Sequence, residues 1–134
     1  MRTTEDAQTA DTTFKVSLIV AITAQNLEDI LVTAFEGGIT YWADTVHVPQ
    51  NKTNDAIPWH YASDLVAHGG SVQILYQNSN EQLESQTLTR PKLLKGLEMF
   101  FMQHGYNLDN LMDFDAHDAD CIVQYALFQK LVFG

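Results

Sequence analysis

Phe14, Val16, Leu18 and Val20 alternate with Lys15, Ser17, Ile19 and Ala21. That period of two predicts a strand, buried on both faces near Ile19 to Ile22, unless the stretch runs on into the first helix. Asn26 then reads as a helix cap with Glu28 and Asp29 in the first turn, where the helix dipole favours negative charge. Leu27, Ile30, Leu31 and Ala34 follow at helical spacing, and Gly37-Gly38 is expected to end the helix in the left-handed conformation. Ile39 to Val48 reads as a strand with Tyr41 and Trp42 on opposite faces. Gln50 to Asp55 is polar and loop-like, and Pro58-Trp59 opens a short helix closed by Gly69-Gly70.

Val72, Ile74 and Tyr76 alternate with polar neighbours, NSNE turns the chain, and Leu83 to Leu88 returns, which predicts a hairpin. Thr89 caps the next helix with Pro91 in its first turn, Leu93, Leu94, Leu97, Phe100, Phe101 and His104 form its inner stripe, and Gly105 ends it. Asp115 with Asp118 is a carboxylate version of the capping box, opening a last helix whose core face is Ala119, Ile122, Val123, Ala126 and Leu127. Leu131 to Phe133 suggests a short final strand. The sum is an α+β fold with three to four helices packed on a small, mainly antiparallel sheet. Residues 1–12 are polar and acidic and read as a flexible tail, leaving 13–134 as a single domain.

Composition sharpens this picture. The 134 residues, 46% apolar, suffice for one real core. The formal charge of −10 argues against direct nucleic-acid binding, which needs cations to displace counterions from phosphates. One cysteine allows no internal disulfide, no segment approaches a bilayer span, and the polar start does not resemble a secretory leader. The expectation is a cytoplasmic protein.

Four acids crowd Asp113 to Cys121, but a calcium loop would place Gly where Asp118 stands and Glu where Gln124 stands. A zinc site would need more Cys or His at fixed spacing. Helix capping accounts for these acids more simply. His117 and Cys121 lie four apart on one helix, yet neighbouring carboxylates would raise the thiol pKa rather than activate it. The glycine pairs follow helices instead of preceding them, so they offer no phosphate cradle. No catalytic residue, metal ligand or cofactor is therefore assigned.

Two candidate surfaces remain. Tyr41, Trp42, Trp59 and Tyr61 form a candidate aromatic pocket for a small molecule or nucleotide, competing with a plain core role for the rings. Between Gly96 and Gln129 there is no Lys or Arg but six acids, among them Asp109, Asp113, Asp115, Asp118 and Asp120. These five form a candidate acidic binding surface, competing with a solvated face that aids solubility.

The AFEGGITYWADTV stretch, WHYASDLVAHGGSVQIL, the TLTRPKLLKGLE helix start and the terminal DADCIVQYALFQKLVFG carry a resemblance covering most of residues 24–134. The chain is similar to a family of small bacteriophage, prophage and mobile-element proteins without an established activity. The resemblance implies a phage setting and transfers no catalytic residue. The expectation is a non-enzymatic accessory protein that binds a basic host or phage protein, imitating nucleic-acid phosphates to inhibit a defence or DNA-handling system. No membrane contact is expected, and the oligomeric state is left open.

Overall fold

The computed structural model describes residues 12–49 and 61–134. Thr23 starts the first helix, α1 (Ala24–Thr33), by accepting the Asn26 N–H at 3.0 Å while the Asn26 side chain accepts the Thr23 N–H at 3.0 Å. Asn26 is thus the answering half of the cap and not the cap itself, which moves Glu28 and Asp29 beyond the first turn. α1 buries Leu27, Ile30 and Leu31 and widens into a π turn over Ala34–Gly38. Neither Gly37 nor Gly38 has a positive φ, so the expected left-handed exit is absent. Gly38 serves close approach instead: a Cβ there would lie 2.6 Å from the Ala116 carbonyl oxygen.

The next strand, β1 (Ala43–His47), is shorter than Ile39 to Val48. Trp42 and Ala43 donate back to the Ile39 carbonyl at 3.1 and 2.8 Å, and this turn consumes the first residues of the expected strand. After α2 (Ala62–Ala67), Gly69 takes φ 102° and the chain enters β2 (Ser71–Gln77). β2 pairs antiparallel with β1 on one side and with β3 (Leu83–Thr89) on the other, giving the sheet order β1-β2-β3. The Asn78 side chain holds the hairpin turn by accepting the N–H groups of Asn80 and Gln82. Val72, Ile74 and Tyr76 turn inward with Leu88, while Gln73 and Thr87 pair across the outer face at 2.7 Å.

Thr89 caps α3 (Arg90–His104), Pro91 stands in its first turn, and Gly105 ends it at φ 77°. After a single 3₁₀ turn at Leu108–Asn110, Asp115 and Asp118 cap each other's backbone to open α4 (Ala116–Phe128). From Ala119 to Leu127 every residue of α4 is buried. The helix lies between α3, the π turn, α1 and β3, so it has no solvent face over most of its length. α3 crosses it at Gly96, where a Cβ would lie 2.5 Å from the Ile122 carbonyl oxygen.

The α+β fold is therefore as the pattern predicts, with four helices and a three-stranded antiparallel sheet. Two expected strands do not form. Residues 12–22 lie outside any helix or strand, with Phe14, Val16, Leu18 and Ile19 exposed. Leu131 to Phe133 is irregular, because its backbone is held by a side chain instead of a neighbouring strand. Most of the expected tail, the Gln50 to Asp55 loop and Trp59 lie outside the described residues. Among the described residues, no helix is long and apolar enough to cross a membrane.

Candidate functional site

The π turn and the start of β1 bring two aromatic side chains onto one carboxylate. Tyr41 donates to Asp120 Oδ2 at 2.6 Å and Trp42 Nε1 donates to Asp120 Oδ1 at 2.8 Å. Gln124, one helical turn beyond Asp120, donates to Asp120 Oδ1 at 2.9 Å. Its carbonyl oxygen accepts the N–H groups of Val132 and Phe133 at 2.7 and 2.9 Å, which fastens the C-terminal segment to α4. A buried carboxylate is tolerated only when its lone pairs are filled, and here three donors fill them.

Two expectations are corrected by this arrangement. Asp120 is not part of an acidic surface: it is buried, because its helical position faces the π turn and not water. Tyr41 and Trp42 do not diverge across a strand, because they precede it and sit in a turn that lets both polar tips converge.

Their rings still differ in environment. Trp42 is 8% exposed and Tyr41 59% exposed. The indole stacks on Phe133 with centroids 4.8 Å apart, and Tyr76 and Phe128 close the same cluster. The Tyr41 ring lies largely in water, but its hydroxyl is turned inward. Loss of water around that hydroxyl, then the hydrogen bond to Asp120 and the carboxylate's charge, raise its pKa to about 12.

Tyr41, Asp120 and Gln124 border a cleft of about 530 Å³ that also takes in His117 and Cys121. The Cys121 sulfur is 3.8 Å from His117 Nε2. Burial, followed by the charges of Asp120, Asp118 and Asp115, pushes the thiol pKa up, which keeps it protonated and weakly nucleophilic. Proximity of the pair is therefore a consequence of helical spacing and not of activation.

The other proposed aromatic members do not join this cleft. Tyr61 is exposed and lines a separate cleft of about 580 Å³ with Glu36, Asp44 and Asp64. Trp59 lies outside the described residues. Among the described rings, Tyr41 and Trp42 do border one cleft together, of about 370 Å³ and also lined by Asp44, Gln77 and Phe133, but Tyr61 does not join it. No group of three or more His, Cys, Asp or Glu is placed to hold a metal ion among the described residues.

The remaining acids gather at the entrance to α4. Asp109, Asp113 and Asp115 are exposed and Asp118 is half-buried, all within one stretch that also exposes Tyr106 and Leu108. Asp115 is held below the usual carboxylate range, first by the Asp118 N–H it accepts at 2.8 Å. None of these acids forms a salt bridge among the described residues. The inward network was missed by sequence reasoning, although Asp120 and Gln124 at i,i+4 inside ADCIVQYALF carried the signal: a polar pair in a helix otherwise apolar all round must bond internally. Compared with known proteins, the chain matches no family model, no curated protein and no solved structure.

Proposed function

We propose that this protein is a non-enzymatic accessory factor of a phage or mobile element, working in the host cytoplasm by binding a basic protein. The observation that supports this reading is the unneutralised acidic end around the start of α4. Asp109, Asp113, Asp115 and Asp118 fall there without a Lys or Arg partner among the described residues, next to the exposed Tyr106 ring. Such a surface attracts cations over a Debye length of about 10 Å at moderate salt, while the aromatic and Leu108 supply apolar contact once docked. The partner class is a defence or DNA-handling protein whose phosphate-binding face these carboxylates occupy. Asp120 plays no part in it, being committed to Tyr41, Trp42 and Gln124.

The test is affinity capture from host lysate with the full chain and with a D109N/D113N variant, at low and high salt. These two acids accept no helix-capping bond from α4, so their neutralisation leaves the fold alone. The reading requires a basic partner released by salt and lost with the double variant. Capture of the same partner by the variant, or capture indifferent to salt, overturns it.

A further inference from the structure

A second inference rests on a neighbouring surface, which shares the Tyr106 ring with the acidic end but is argued from other residues. Residues 12–22 belong to no helix or strand, and no backbone hydrogen bond joins them to another described residue. The stretch nevertheless has the alternation of a paired strand. Its apolar side chains also follow a gradient. Phe14 is 89% exposed, Val16 83%, Leu18 53% and Val20 37%, and Ile22 packs against the core. One end of the segment is thus seated on the protein and the other overhangs it. The seated end borders a cleft of about 520 Å³ lined by Leu18, Val20, Leu94, Leu97, Phe101 and Met102, of which Leu94 and Met102 are themselves exposed.

We infer that the protein forms a two-fold dimer in which residues 14–22 of two copies pair antiparallel about Leu18. The occupant of each cleft's open side is then Phe14 and Val16 of the other copy. Three observations select a second copy. First, the stretch is self-complementary. Pairing about Leu18 sets Phe14 against Ile22 and Val16 against Val20, so that apolar meets apolar on one face, whereas a shift of one residue would set Lys15 against Val20 and Ser17 against Leu18. Second, each copy supplies both the overhanging side chains and the cleft that receives them, as an isologous interface requires. Third, the strip avoids the repulsion expected between two chains of charge −10. Its single charge, Lys15, falls opposite Ala21, and the two Lys15 residues lie six positions apart along the ribbon, about 20 Å. The pairing would bury the exposed apolar side chains named here, and it satisfies backbone groups of residues 12–22 that bond to no other described backbone.

The test is the mass of the full chain by sedimentation equilibrium, together with site-directed crosslinking. The wild type is expected at twice the 15.1 kDa of one chain. F14D/V16D is expected to raise the dimer dissociation constant about a hundredfold or more. Both side chains are exposed in the single chain, so the variant should keep the wild-type circular dichroism spectrum. Leu18→Cys should form an intermolecular disulfide on mild oxidation, and Lys15→Cys should not; the native Cys121 is buried and does not interfere. A wild type at single-chain mass overturns the inference, including one that binds neutral lipid vesicles instead. So does a dimer unmoved by F14D/V16D, or a crosslink at position 15 in place of 18.

Discussion

Asp120 shows how one residue can join three parts of a chain. Its carboxylate holds the turn before β1 through Tyr41 and Trp42, and through Gln124 it is coupled to the last residues of the chain. Removing a buried acceptor costs the desolvation of the donors it leaves behind. Asp120→Ala should therefore lower stability by about 3 kcal/mol in urea unfolding, since the Trp42 indole N–H and the Gln124 amide lose their acceptor together. Asp120→Asn should cost roughly 1 kcal/mol, because the amide oxygen still accepts from Trp42. Tyr41 adds a pH signature. Its folded pKa of about 12 exceeds the ordinary phenol value of 10.0, so its stabilising contribution is complete below 10 and is lost as pH rises towards 12. The mostly wetted ring keeps that contribution well below what the shift alone would imply. Tyr41→Phe should flatten the fall in stability across this alkaline window, measured by denaturation at successive pH values.

At the level of elements, the glycines separate conformational need from packing need. Gly37 and Gly38 are neighbours in one π turn, yet a Cβ on Gly37 would meet nothing within 4 Å, while one on Gly38 would strike α4 backbone. Gly37→Ala should be neutral or stabilising by up to about 1 kcal/mol, because it removes freedom from the unfolded chain. Gly38→Ala should cost about 2 kcal/mol, and Gly96→Ala a similar amount despite its better helix propensity, because backbone atoms of α4 cannot yield as a side-chain end can. Thermal melts of the three variants give the ranking directly. The same elements show what was legible beforehand. The Thr89 cap, the Asp115–Asp118 box and the hairpin were readable because each is a local hydrogen-bonding device within a few residues. The π turn was not, since AFEGG carries the same glycines whether it ends in a left-handed cap or in close approach to another helix. That choice is made by Ala116 and Asp120, far along the chain. The strand expected from Phe14 to Ile22 failed for a related reason. Alternation marks a segment suited to pairing, but the partner must come from elsewhere, and no strand of this sheet takes it up.

Over the whole molecule, the acidic excess is the property most visible in composition and least visible in any one contact. Seventeen acidic side chains face seven basic ones. Among the described residues the ion pairs are Lys95–Glu98, exposed and three apart on one helix, and His68–Glu28 at 3.8 Å. Surface pairs of this kind contribute little, so screening removes little attraction and much repulsion. Added sodium chloride should therefore raise the melting temperature by a few degrees, most steeply at low ionic strength, where the Debye length spans about 30 Å. Glu28 marks where that repulsion is felt locally. Partial burial, then the neighbouring Asp64 charge, raise its pKa above 4.5. A carboxyl raised in this way contributes stability below its unfolded pKa and loses it as pH rises through the folded value, so at neutral pH it is a net burden. Glu28→Gln should stabilise the protein at neutral pH and low salt, and the gain should shrink as salt is added. A melting temperature that falls with salt, or a Glu28→Gln gain that salt leaves unchanged, would show that ion pairs outweigh the excess of negative charge in this fold.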